Sequence, residues 1–434
     1  MMMYREPSRE IPVIENTGVV VLGSGPAGIG AALAAARNGA RVVLVEQCGD
    51  VGGVATTGLM SHWVGTVNSA LYREIIAASK DNHNGCDDFV IQTEKLKTVL
   101  LRMLVQAGVH VRLYTYVSDV ITENGHMQGV IIESKSGRQV IGCQLVIDAT
   151  GDGDAAAKAG VPYQTGRPSD GHMQPMTLMC KVGGVEIERV HFIGAFEDTY
   201  ACHGSDIQTL ARQHLPHPAG HLLIYKNALP GVVTCNMTNA IHVDGTSAED
   251  LTKATVTCRS QLEPIVQFLR TYADGFENCY LIQAASMIGV RETRHFEGAY
   301  CLNEQDILDS RVFDDWVVTG CRFNFDVHSL SGAGLDETGL QKYFPETIGY
   351  TIPYRSLLPK GVENLLLAGR NICGTHMAHS SFRVMPICLG TGEAAGTAAA
   401  LSLQTGVPVK ELDVSSIQQK INPAFFRERA AASH

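Results

Sequence analysis

Two groups of residues carry recognisable chemistry. The first is Gly23-Ser24-Gly25-Pro26-Ala27-Gly28, a G-x-G-x-x-G turn, followed 18 residues after Gly28 by Glu46. In such a turn the first glycine permits a tight bend, the second lets backbone approach a pyrophosphate, and the third lets helix and strand pack closely. A helix starting there offers free N–H groups and a partial positive charge to the same pyrophosphate. Glu46 is placed to accept from ribose hydroxyls, and its charge opposes a 2′-phosphate, which disfavours NADP. The second group is His376, His379 and Arg383, with Arg291 distant in sequence. Imidazoles move protons near neutral pH, and guanidinium groups bind carboxylates or stabilise developing negative charge.

These residues need elements to hold them. Val19 to Leu22 reads as a buried parallel strand, and the Ala-rich stretch to Arg37 as a helix closed by Gly39. Arg41 to Val45 is a second strand. Gly52-Gly53, followed by Val54, suits backbone folded over the far side of a large dinucleotide. A helix over 93–107 follows, then strands at 109–113 and 117–122, a hairpin turn at Asn124-Gly125, and strands at 128–133 and 139–143. Residues 145–148 return to the parallel sheet and end in Ala149-Thr150-Gly151-Asp152. An antiparallel meander inserted into a Rossmann sheet and closed in this way points to a flavoprotein, not an NAD dehydrogenase.

Near the C-terminus, residues 364–368 form an apolar strand ending at Gly369-Arg370. Gly390 to Gly396 looks like a second dinucleotide loop, but no buried strand precedes it and no acid-terminated strand follows. The spacing predicts a helix over 386–403 instead, begun by Pro386, with its small face on the first domain and its N-terminus toward the flavin. In that reading the chain has no second nucleotide site of the usual kind. The middle, 161–350, has strand-like pieces at 222–225 and 232–235 and a helical stretch over 247–272, an α+β insert able to lid a flavin.

Composition excludes several classes. The 434 residues hold 34 Lys plus Arg against 44 Asp plus Glu, a net charge of −10, without the basic footprint of a nucleic-acid binder. Apolar residues are 45% and charged ones 18%, enough for a large core. No apolar run reaches the length of a membrane span, and Met1 to Pro12 has no signal-peptide core. Twelve scattered Cys without a C-x-x-C pair read as buried hydrophobes in a reducing compartment, so the expected location is cytoplasmic.

The sequence resembles the FAD-dependent oxidoreductases of bacteria, a group similar to the flavoprotein subunits of fumarate reductase and succinate dehydrogenase. Four blocks carry the likeness: the region up to Gly53, Asp148 to Asp154, Ile288 to Arg294, and Ile352 through Gly369-Arg370, Gly374-Thr375-His376 and Ser381 to Pro386, to Gly396. The resemblance implies bound FAD, two-electron chemistry at the flavin and a small-molecule substrate. Their position between the Gly369-Arg370 strand end and the helix over 386–403 places His376 and His379 near the isoalloxazine as proton-transfer candidates. Arg383, at the entry to the last helix, would stabilise reduced flavin or bind a substrate carboxylate. Arg291 and Arg294, three apart on a strand, face opposite ways, and the resemblance favours Arg291. His62 lies where related subunits attach FAD covalently, but Leu59-Met60-Ser61-His62-Trp63 does not reproduce that motif, so non-covalent FAD is favoured. No spacing signals a metal site.

The expectation is an α/β fold, with a Rossmann-like FAD domain of the glutathione-reductase type with an antiparallel meander (1–160 plus 351–434) and an inserted α+β substrate domain (161–350) whose 280–300 segment returns toward the flavin. The activity expected is hydride transfer between a small organic substrate and flavin N5. The rivals are a structural or regulatory flavoprotein and an NAD-dependent dehydrogenase with an atypical insert. Cofactor contacts fall to Gly23, Gly25, Pro26, Ala27, Gly28, Glu46 and Gln47; to Gly52, Gly53 and Val54; to Ala149, Thr150, Gly151 and Asp152; and to Gly369, Arg370, Arg383 and Pro386. The partners expected are a small-molecule substrate and an electron acceptor or donor.

Overall fold

A computed structural model describes the chain apart from residues 1–2, 5–6, 81–86, 88, 194–197, 337–348 and 433–434. Its first strand, β1 (Val13–Leu22), ends in four residues without solvent exposure. A strand covered on both faces can be apolar at every position, which is why this run does not alternate. The chain turns at Gly23 (φ +86°) into α1 (Pro26–Arg37), with proline in the first helical turn, where its missing N–H costs nothing. β2 (Val42–Val45) pairs parallel to β1; α2 (Thr93–Gln106) leads to β3 (His110–Arg112), which pairs parallel to β2. β4 (Tyr116–Glu123) and β5 (His126–Ser134) form the expected hairpin, with positive φ at both Asn124 and Gly125.

β6 (Gly137–Asp148) departs from expectation, being one strand where two were read. Its start pairs antiparallel to β5, while its length runs parallel to β1. The break read between residues 143 and 145 is a change of neighbour, not of direction.

The insert is built on β7 (Cys180–Gly183), β8 (Ile224–Lys226), β9 (Val233–Cys235) and β10 (Tyr280–Ala284), ordered β8-β9-β7-β10. Val182, Leu222, Val233, Ile265, Leu269 and Phe276 belong to its core. The single helical stretch expected over 247–272 is two helices, α3 (Ala248–Ser260) and α4 (Leu262–Tyr272). Pro264 lacks the N–H that would continue the ladder, and the buried Gln261 at the break bonds the backbone of Asn239 in both directions at 2.8 Å.

β11 (Leu365–Leu367) pairs parallel to β6 where β5 has ended. Asn364 closes the gap between them, accepting from Met127 N and donating to the carbonyls of Met127 and Gln144. Two helices follow, α5 (His376–Phe382) and α6 (Met385–Thr405). The glycines of α6 lie inside the helix. A Cβ on Gly392 would stand 1.9 Å from Ala27 O, one on Gly396 2.2 Å from Ala31 O, and one on Gly30 of α1 2.4 Å from Leu389 O. The repeated glycines therefore serve helix contact with α1.

The architecture is mixed α/β, with a Rossmann-like sheet ordered β3-β2-β1-β6-β5-β4, β11 beside β6, and additional sheets and helices. Among the described residues no single helix is long and apolar enough to cross a membrane; the α5–α6 pair is bent by 94° and largely buried.

Candidate active site

The glycine turn is held from both sides. Glu46 accepts at Oε2 from Ser24 N (2.9 Å) and Ser24 Oγ (2.5 Å) and at Oε1 from Cys48 N (2.8 Å), tying the turn to the end of β2. A Cβ on Gly28 would fall 1.9 Å from Gly23 O, so only glycine fits there. Gly52 N donates to Ser24 O at 2.8 Å, and a Cβ on Gly53 would stand 2.9 Å from Gly25 Cα, which lays the second glycine pair against the first. Gln47 is exposed and Val54 half-buried. At Gly25 a Cβ would meet no atom of the described residues within 4 Å, although Ser24 and Pro26 on either side are buried. The N-terminus of α1 has no side-chain cap. An open cradle at an uncapped helix N-terminus fits a pyrophosphate, and so fits FAD.

Three sequence blocks converge on Asp152. Its Oδ1 accepts from Thr293 Oγ1 (2.9 Å) and Arg370 Nη2 (2.9 Å), and its carbonyl accepts from Arg294 Nη1 (2.8 Å). Arg370 Nη1 is buried without a partner, a donor left for a ligand. Ala149 is buried, and Thr150 and Gly151 lie between Asp148 and this knot; Thr150 donates to the fully buried Asp148 through N and Oγ1. Gly369 N bonds Thr391 Oγ1 of α6 at 2.8 Å, and a Cβ on Gly369 would stand 2.9 Å from Ala27 Cβ. Pro386 lies in the uncapped first turn of α6.

His376 and His379 lie on α5, capped by Thr375 through Ala378 N. His376 Nδ1 meets Glu292 Oε1 at 2.5 Å, and the same oxygen meets His295 Nε2 at 2.7 Å. Glu292 Oε2 accepts from Gln174 N at 3.0 Å. Burial raises a carboxyl, but here the hydrogen bonds from His295 and His376 outweigh it and hold Glu292 well below the usual carboxylate range. His379 makes no bond to Glu292. It is buried edge-on to His295 at 5.1 Å, its Nδ1 has no partner, and burial followed by the charge of His295 pushes its pKa well down.

The arginines form a second cluster. Arg383 Nη2 donates to Asp326 Oδ2 (2.7 Å) and to Asp326 O (2.9 Å), while its Nε is buried without a partner. Arg291 precedes the nearest strand, Arg294–Phe296, and does not sit on one as expected. It donates to Pro175 O (2.6 Å) and Thr177 Oγ1 (2.8 Å), away from Arg294, which pairs with Asp154. Burial and then Arg383 push the Arg291 guanidinium down to about 10. Asp326 is held low: burial raises it, but His328, Arg383 and Arg291 more than compensate. Gln174 joins the clusters, its N on Glu292 and its Oε1 accepting from His328 N at 3.2 Å. Its Nε2 is buried without a partner.

Glu292, His295, Gln174, Asp326 and His328 are the residues that sequence reading missed. Glu292-x-x-His295 was visible, but Glu292 reads as a surface partner of Arg291 until the fold brings His376 to it. His62, the covalent-attachment candidate, is buried against Tyr225, ring centroids 4.5 Å apart, and burial pushes it down to about 4.

Curated relatives match in part. A digeranylgeranylglycerophospholipid reductase of Methanopyrus kandleri is 30% identical over 149 residues, 31% of this chain and 37% of the relative. A thiamine thiazole synthase of Aeropyrum pernix is 30% identical over 159 residues, 31% of this chain and 55% of the relative. The chain thus spans between 37% and 55% of those proteins. A geranylgeranyl bacteriochlorophyll reductase-like protein of Thermoplasma acidophilum superposes with a TM-score of 0.50 at 14% identity, covering 96% of this chain and 84% of that one. A p-nitrophenol 4-monooxygenase of Pseudomonas putida gives 0.50 at 12% identity, with 96% and 86% covered. At such identities the likeness is one of fold. The sequence profile of the FAD dependent oxidoreductases matches residues 18–421, taking in the glycine cradle, the Asp152 knot and both clusters, and the chain belongs to that family.

Proposed function

We propose that the protein catalyses two-electron (hydride) transfer between flavin N5 and a small organic substrate that carries a carboxylate, with His376 moving the accompanying proton. The observation that carries this reading is the junction, through Gln174, of a carboxylate–imidazole pair with a buried cluster of two arginines around one aspartate. Arg291 and Arg383 against Asp326 leave an excess of positive charge. Two further donors, Arg383 Nε and Gln174 Nε2, are buried and unused. Buried donors left unpaired are costly, so the group they meet should present acceptor oxygens.

FAD would be held by the Gly25 cradle and the α1 N-terminus, the Gly52-Gly53 turn, the 150–152 loop with Arg370, and the start of α6. Bound there, it supplies the two-electron acceptor or donor. The remaining work belongs to the chain: Arg383 and Gln174 orient the substrate's oxygens, and His376 takes or gives the proton. The proteins that the chain is similar to include a reductase in sequence and, by fold alone, a reductase-like protein and a monooxygenase.

The test is an anaerobic screen of the holoenzyme, oxidised and dithionite-reduced, against hydroxy, saturated and unsaturated carboxylic acids, with NADH and NADPH alongside. One class of acid should bleach the oxidised flavin or reoxidise the reduced one, and Arg383→Gln should raise the concentration required. Rapid bleaching by a nicotinamide nucleotide, with no response to any acid, would contradict the proposal.

A further inference from the structure

Glu292 has no solvent exposure, and both its oxygens are engaged by groups that can only be donors to a carboxylate. An ionised carboxylate accepts and never donates, so each imidazole nitrogen facing it must carry its hydrogen. This sets the tautomers. In neutral His376 the hydrogen is on Nδ1, which leaves the lone pair on Nε2; in neutral His295 it is on Nε2. We propose that Glu292 is a positioning residue, which clamps His376 with Nε2 as the nitrogen free for proton transfer and uses His295 as the second donor that fixes the carboxylate. The inference rests on the reading of His376 given above.

The same three side chains also invite a metal ion, since their ligand atoms lie within 4.8 Å of one another. The separations decide against it. Ligands about 2.0–2.2 Å from one tetrahedral ion stand roughly 3.3 Å apart, whereas Nδ1–Oε1 and Nε2–Oε1 here are 2.5 and 2.7 Å. Those are charge-assisted hydrogen-bond distances. The other groups that face the pair are His379 beside His295, Arg167, which acts on Glu292 electrostatically, and Arg370 and Arg383, which act on His379.

The test is long-range proton–nitrogen NMR on the histidine-labelled, FAD-loaded protein, with the His376 signal assigned by its loss in His376→Ala. The wild type should show His376 in the Nδ1–H tautomer at neutral pH. Glu292→Gln should remove the downfield Nδ1–H signal of a charge-assisted hydrogen bond, and Glu292→Asp should keep it. An Nε2–H tautomer of His376 in the wild type would overturn the proposal. So would an unchanged downfield Nδ1–H signal in a Glu292→Gln protein that retains flavin absorbance, or stoichiometric zinc or iron in the wild type that this variant loses. None of these readouts involves turnover. If the tautomer is as stated while His376→Ala reduces flavin at the normal rate, it is the catalytic reading that fails and the positioning that stands.

Discussion

Gly25 is a position where the protein leaves room and fills it with none of its own atoms. Its backbone (φ −61°, ψ −178°) suits any residue, so alanine there should fold normally. The added methyl would occupy the approach of the pyrophosphate. Gly25→Ala should therefore yield protein with the melting temperature of the apo wild type but little flavin absorbance. Full flavin occupancy would show that this turn does not hold the dinucleotide. His62 makes a different prediction. Its folded pKa is depressed by burial to about 4, below the ordinary value near 6.5, so only the unfolded chain takes up a proton between those limits. Stability is then fully present above about pH 6.5 and falls as pH drops toward 4, by up to about 1.4 kcal/mol per pH unit. Thermal melts from pH 7 to 4.5 should show a shallower decline in His62→Phe than in the wild type. At this scale the glycine turn and Glu46 were legible because their meaning is local, set by neighbours within a few dozen residues. Glu292 was not, because what defines it is His376, 84 positions away, and the Gln174 backbone, 118 away.

Among the elements, α6 carries the sharpest steric demand. Gly392 lies against the Ala27 carbonyl, where even a methyl would collide at 1.9 Å. Gly392→Ala should push α6 off α1, costing about 1–3 kcal/mol by overpacking, and should lower both melting temperature and flavin retention. An unchanged melt would mean that the two helices have slack between them. The helix itself was readable in the sequence, because a strand-free glycine run with alanines has few other uses. Elements that owe their limits to long-range partners were harder. β6 reads as two strands since its pairing passes from β5 to β11, and Asn364, which fills the joint, is a turn residue by type alone. α5 escaped notice because seven residues of mixed polarity have no clear period, and it is held by the Thr375 cap and the Tyr350–Ser381 hydrogen bond of 3.0 Å. The stretch over 247–272 reads as one helix because its apolar pattern runs on past Gln261, where the structure has its break.

At the scale of the whole molecule, Thr293 and Arg294, next to Glu292, meet the Asp152 loop that follows the parallel strand β6 of the Rossmann-like sheet. Separate apolar cores serve the sheet and the insert, so the site lies where differently supported elements meet. The central claim is that His376 moves a proton in step with electron transfer. It is tested most directly by the rate at which substrate reduces the flavin, normalised to bound FAD, in His376→Ala against wild type. General acid–base catalysis contributes about 10²–10⁴-fold, so the variant should stay yellow and be reduced at least about tenfold more slowly. A normalised rate equal to wild type, with flavin retention and melting temperature lowered together, would contradict the account and leave His376 a structural residue.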